Sequence, residues 1–347
     1  MLERARGRLS TVVSPSPALH AELLAGIAGV QVGMGEHDAA HATFQQWAEL
    51  LTDPDDLPEM AWVLALRAEN ELHRVRVDAA RSWLTQSESV WPDDRAAARL
   101  LAKRGELRGW VAQHEGRLED AARAFESSLR EAQRAGPELA IQVADLQMAK
   151  AQNAAARGDA AAALAAIDAA EAAAGSAPVQ RTGWRHDLAL TRAVVWDKMG
   201  EYRRISLKLP AELARCDLDL GTDSELCQKE RHLLARAMMR QGSMRDVLAQ
   251  WPALMRVVDT SRNDSVRFSA LEVAHAVAWH MGDTAFRKES LERLATLERT
   301  SEIAWVRARS ALAIAEAELH QGQAGPAMTS VARAANHLYK AGERSAL

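Results

Sequence analysis

A turn residue recurs along this chain at almost constant intervals. Gly35, Gly116, Gly158, Gly200, Gly242, Gly282 and Gly322 each sit between two helix-like stretches and precede a polar residue, and Val75 holds the missing second place. The successive spacings are 40, 41, 42, 42, 42, 40 and 40 residues. A period between 20 and 50 residues indicates an array of small supersecondary units. The 347 residues therefore read as about eight stacked copies of one unit, each burying its apolar face on its neighbours, and not as one large core. Glycine suits the turn because it reaches the left-handed region without a Cβ penalty.

Two further positions keep the same phase. Seven residues before each turn stand Ala28, Ala68, Gly109, Ala151, Ala193, Ala235, His275 and Ala315, nearly all small. Nine residues after it stand Phe44, Leu84, Phe125, Ile167, Leu209, Trp251, Leu291 and Val331, all bulky and apolar. Four residues before these come Ala40, Ala80, Ala121, Ala163, Ile205, Val247, Arg287 and Ala327, on the same helical face. Each unit thus reads as helix A, short turn, helix B, with the large residue of B filling space beside the small residue of A. Alanine, the best helix former, is the commonest residue, while Phe and Tyr number only 4 and 2. A β-rich fold wants more branched and aromatic surface. The expected fold is all-α: a right-handed α-solenoid of about sixteen main helices, with no β-sheet. The alanine run 154–174 keeps the phase through Gly158, Ala163 and Ile167, so it reads as a packed unit. Pro210 is expected to interrupt the fifth B helix, and Val75, His275 and Arg287 depart from the pattern.

The pattern resembles the tetratricopeptide repeat. Unit one carries Ala28, Gly35, Ala40 and Phe44; unit three carries Gly109, Gly116, Leu118, Ala121 and Phe125; and Pro92 follows the second B helix, where such repeats often place proline. The resemblance spans residues 18–340. The usual period is about 34 residues, so these longer units look like those of maltose-activator-type bacterial transcription regulators and of peptide-sensing regulators. Residues 1–16 read as an N-terminal stub or the end of a preceding helix, and 17–347 as a single solenoid domain. The alanine and arginine bias suggests a bacterial coding sequence.

Charge and motifs narrow the function. The net charge of -4 disfavours a basic nucleic-acid-binding domain. No uncharged apolar stretch approaches the length of a membrane-spanning helix, and the N-terminal stretch has no apolar core of a signal peptide, so a cytoplasmic protein is expected. Cys216 and Cys227 lie eleven apart without a CxxC pair, which argues for core thiols in a reducing compartment and against zinc. His37 and His41 are four apart with no evident third ligand, and Asp53, Asp55 and Asp56 around Pro54 read as a helix cap. HExxH, GxSxG and P-loop signatures are absent from the sequence. No catalysis, cofactor or metal is expected.

In the repeat family helix A lines the concave face. The resemblance therefore places His73, His114, Lys198, Arg240, His280 and His320, each two residues before a turn, at the groove or its rim. Trp110, Gln152 and Arg236, each six before a turn, share that face, and His232 lies one helical turn before Arg236. His232, Arg236 and Arg240 form an expected basic strip, flanked by Lys198 and His280, with a second contact at Trp110 and His114. Such a strip suits a carboxylate-bearing partner; cations at helix C-termini are also favoured by the helix dipole alone. The expected function is a non-catalytic scaffold holding a protein or peptide, acidic in character, in its concave face. The alternative is the sensory or oligomerising arm of a bacterial regulator that binds an effector there.

Overall fold

The structure is a computed structural model and describes residues 17–33, 35–94, 96–175 and 183–340. The N-terminal stub 1–16, most of the connection after the fourth unit and the final residues 341–347 lie outside the described residues. Seventeen α-helices and no strand occur among the described residues. Unit one is α1 (Pro17–Gly33) and α2 (His37–Glu49), unit two α3 (Leu57–His73) and α4 (Val77–Val90), and unit three α5 (Ala98–His114) and α6 (Leu118–Ala135). Unit four is α7 (Ala140–Ala156) and α8 (Ala160–Gly175), and unit five α9 (Trp184–Lys198) and α10 (Tyr202–Asp219). Unit six has α11 (Glu225–Arg240) followed by α12 (Met244–Ala249) and α13 (Trp251–Thr260). Unit seven is α14 (Asp264–Met281) and α15 (Thr284–Thr300), and unit eight α16 (Ala304–His320) and α17 (Ala324–Lys340).

From unit two onward, each A helix lies beside the next A helix, and each B helix packs on its own A helix and on the following one. The A helices therefore form the inner layer of a curved ribbon and the B helices the outer one. The expected small-to-large packing is present. A Cβ on Gly109 would overlap the Phe125 ring, and one on Gly105 would stand 2.8 Å from the Ser128 Cβ, so α5 and α6 approach as closely as backbone allows. Phe125 is wholly buried, with Trp110 edge-on at 5.4 Å between centroids. The alanine run forms α8, whose Ala163, Ala166, Ile167, Ala170 and Ala174 are buried. Asp53 and Asp56 make a reciprocal capping box around Pro54, as the acidic cluster suggested.

The departures have physical causes. Pro210 lies inside α10 without ending it, whereas unit six's B helix breaks ahead of Pro252, which lies in the first turn of α13; hence seventeen helices where about sixteen were expected. The large B-helix position also shifts. Phe44, Leu84, Phe125, Ile167 and Leu209 are buried, but Trp251 and Leu291 are half-buried and Val331 is exposed. Three residues later Leu254, Leu294 and Ala334 are fully buried in units six to eight, which turns the buried face by about 60° around the helix. His275, in the small-residue place, is half-buried and meets the Ser290 hydroxyl at 2.7 Å; Arg287 lies over the Trp279 ring at 4.3 Å. Cys216 and Cys227 are core residues as expected, but they form a disulfide and are not free thiols.

Candidate functional site

The curvature brings the ribbon back onto itself. The A-to-B turns of units one and two meet the segments that open the A helices of units six, seven and eight. His37, at the start of α2, places Nε2 3.1 Å from Glu225 Oε2 and Nδ1 3.0 Å from Asn70 Oδ1. Asn70 donates back to the His37 carbonyl at 3.0 Å, which fixes its amide orientation. From the other side Asn263 donates to Glu225 Oε1 at 3.2 Å and to the His73 carbonyl at 3.5 Å. Lys229 holds Glu225 from one helical turn away at 2.5 Å. Burial pushes the Glu225 carboxyl up, but Lys229 and His37 outweigh it and hold it well below the usual carboxylate range. Outer pairs Arg262–Glu36 and Arg76–Glu302 complete the seam around a cavity of about 340 Å³.

Local sequence makes this contact possible. Gly35 has φ +74°, and a Cβ there would come 2.7 Å from Glu225 Oε2, so both conformation and space demand glycine. Val75 is the only described non-glycine residue with positive φ, at 58°. A branched side chain is costly in that region. Here it packs against the apolar core of units six and seven, so backbone strain is exchanged for contact across the seam. Ser224 caps α11 by accepting from the Cys227 amide, which sets Glu225 in the first turn, where the helix dipole favours a carboxylate.

Successive A helices touch one another along the inner layer of the ribbon. Polar pairs join successive A helices: Lys103 to Glu69 at 2.6 Å, Gln152 to Thr191 at 3.3 Å, and Arg236 to Asp197 at 2.6 Å. Lys103 also meets Glu106 at 3.2 Å. Burial works against the Lys103 ammonium, but Glu106 and Glu69 outweigh it and raise its pKa.

The expected groove residues divide into two groups. Lys198, Arg240 and His280 are exposed at the ends of α9, α11 and α14. His114 is exposed at the end of α5, and the protein crowding it lowers its pKa. His73 likewise keeps solvent contact, while desolvation lowers its pKa to about 4 against the pull of Glu69. Trp110 and Gln152 are half-buried between units. His232 and Arg236 correct the simple picture of a three-membered basic strip. Burial, with Arg236 beside it, lowers His232 to about 3, so it is neutral, and its Nδ1 has no partner. Arg236 is half-buried and committed to Asp197. The strip's exposed charge lies at Arg240, with Lys198 on the preceding A helix. The seam residues His37, Asn70, Glu225 and Asn263 were not found by sequence reasoning as a group. Val75 in a glycine's place was their one local signal.

No protein-family model matches the sequence, and no curated protein matches it. No helix among the described residues is long and apolar enough to cross a membrane. The fold is similar to the crystal structure of the apo form of RapI, with a TM-score of 0.55 at 13% identity over 82% of this chain and 99% of that one. That likeness supports the architecture derived above: an all-α, solenoid-like superhelix built from repeating helix pairs.

Proposed function

We propose that this chain is the effector-sensing arm of a bacterial-type regulator, non-catalytic in itself, which holds a protein or peptide segment in the channel walled by its A helices. The observation that carries this reading is the seam. A ligand in the channel touches A helices from units on both sides of the His37–Glu225 contact, so its affinity differs between the closed and the opened superhelix. By linkage, binding then biases closure and closure biases binding. The likeness to RapI, whose solved form is itself described as apo, is consistent with a ligand-responsive fold. The exposed Lys198, Arg240 and His280 favour an acidic segment, with Trp110 and His114 as its second contact.

A plain scaffold shares the channel but not the coupling, and one experiment separates the two. Peptides selected from an extended random library on the full chain are titrated against the parent, Lys198→Glu/Arg240→Glu and Glu225→Ala. The regulator reading expects the charge reversal to weaken binding at least tenfold, more at low salt than at high. It expects seam opening to change affinity by about 5-fold or more, the usual range of allosteric coupling. Affinity unchanged by Glu225→Ala, but lost on charge reversal, supports the scaffold. Affinity unchanged by both places the binding surface elsewhere.

A further inference from the structure

Outside the channel and the seam, the junction of units five and six buries a set of polar atoms that hydrogen bonding does not explain. Glu230, on the second turn of α11, is fully buried, and neither carboxylate oxygen has a partner. His186, in the first turn of α9, is buried; its Nε2 lies 3.1 Å from Asp219 Oδ2 and its Nδ1 has no partner. Cys216, near the end of α10, is fully buried. One ligand atom from each of His186, Cys216 and Glu230 lies within 4.8 Å of the others. Cys227, the third residue of α11, is bonded to Cys216, and the Ser224 hydroxyl donates to its sulfur at 3.1 Å. Leu188, Ile205, Leu209, Leu213, Leu233 and Leu234 are buried in this part of the chain.

Leaving a buried carboxylate and an imidazole nitrogen unsatisfied is unfavourable. Hydrogen bonding alone offers no compensation here, but a cation does. Zinc takes four ligands in a tetrahedron at about 2.0–2.3 Å; reduction frees the two sulfurs to move apart, and the His186, Cys216 and Glu230 ligand atoms already lie within 4.8 Å of one another. Two thiolates, one imidazole and one carboxylate form a zinc-type donor set. The Asp219–His186 contact has the form found behind zinc-ligating histidines: a carboxylate accepts from one ring nitrogen and leaves the other nitrogen's lone pair for the metal.

We propose that Cys216, Cys227, His186 and Glu230 form a four-ligand site for a zinc-class divalent cation in the reduced protein, with the Cys216–Cys227 disulfide as its metal-free, oxidised form. A dithiol reductant gives two electrons and two protons to the disulfide, becoming a disulfide itself and leaving two cysteine thiols. On metal binding both thiol protons, and the carboxyl proton that burial favours on Glu230, pass to solvent, and the two sulfurs, His186 Nδ1 and a Glu230 oxygen each donate a lone pair to the cation. No electron moves in that second step. The eleven-residue spacing argued against zinc because a ligand pair was sought within one segment; the helix crossing supplies the other half from α9 and from one turn further along α11. The site ties together the three helices on which unit five stacks onto unit six, and α11 also carries Glu225 of the seam.

The test uses the full chain purified with a dithiol reductant and no chelator, loaded with zinc and exchanged into metal-free buffer. Plasma mass spectrometry should find about one zinc per reduced chain and less than a tenth of that after oxidation. Cobalt in place of zinc should show the intense visible absorption of a tetrahedral ion and a thiolate charge-transfer band. Zinc should slow the reaction of both cysteines with a thiol reagent at least tenfold. Asp219→Asn, which leaves all four ligands in place, should weaken zinc binding about 10- to 100-fold, and His186→Asn and Glu230→Gln should weaken it further, with helix content checked by circular dichroism. A folded, reduced parent that takes up no zinc, with both thiols equally reactive with and without it, overturns the proposal. So does zinc retained undiminished in folded His186→Asn and Glu230→Gln. Equal zinc in the oxidised and reduced chains overturns the exchange between disulfide and metal.

Discussion

In unit three, glycine at position 109 lets α6 approach until Phe125 lies buried against α5, with both partners inside one repeat. At the seam, His37 meets Glu225 across 188 residues, and the partners are polar. The first contact is apolar and local, and its partner is always close in sequence. The second depends on the accumulated curvature of five units. Local packing fixes the unit; the seam fixes the pitch of the superhelix. A change in one should therefore be readable separately from a change in the other.

The largest effect is expected in unit three. Phe125→Ala should cost about 3–5 kcal/mol in chemical denaturation, because the cavity lies at a close backbone approach with little room to collapse. Since each repeat completes its neighbour's core, protection from hydrogen exchange should fall in units two and four as well, while units seven and eight keep theirs. Glu225→Ala comes next. It leaves His37 and Asn263 without their shared acceptor, at about 1.5–3 kcal/mol for charged hydrogen bonds. Its signature is a larger radius of gyration with unchanged helix content. If this variant loses helix in step with compactness, seam and unit are not separable.

Two smaller changes sharpen the contrast. Gly116→Val should cost about 1–2 kcal/mol, since it forces a branched side chain into the left-handed region. Val75→Gly, the reverse change at the matching place, should cost less than about 1 kcal/mol, because relief of strain offsets the lost apolar contact across the seam. Equal costs would remove the argument that Val75 is held by the seam. The smallest effect concerns pH. His73 in the folded chain titrates near 4, below the ordinary value of 6.5. As pH falls through 6.5 the unfolded chain takes up a proton that the folded chain refuses until about pH 4, so stability declines across that window. His73→Asn should flatten the decline between pH 7 and pH 5 by under about 1 kcal/mol, solvent screening at this exposed ring reducing the full linkage effect. Thermal melts of both proteins at the two pH values check it.

What the sequence disclosed follows the same division. The turn period, Gly109 against Phe125 and the buried face of α8 were legible because each depends on residues within one repeat. The break at Pro252 and the unbroken α10 around Pro210 were not, because tolerance of a helix proline depends on what neighbouring helices supply. The shift of the buried face from Val331 to Ala334 was hidden for a similar reason: both positions are apolar, and only the neighbour's placement decides between them. That His232, Arg236 and Arg240 share one helix was legible, but their charge states were not. Arg236 could be placed on its helix face from spacing, yet its partner Asp197 lies on the preceding unit, and the crowding that keeps His232 neutral has no local sequence mark. His186 and Glu230 were likewise ordinary residues until α9 and α11 came together on Cys216.

The central claim is that the superhelix closes on itself through the His37–Glu225 contact. Small-angle scattering of the full chain and of His37→Ala/Glu225→Ala, at matched helix content, tests it most directly. The account predicts a longer maximum dimension and a larger radius of gyration in the double variant, with the parent matching a ribbon that returns to its own edge. Superimposable scattering curves from the two folded proteins would contradict it.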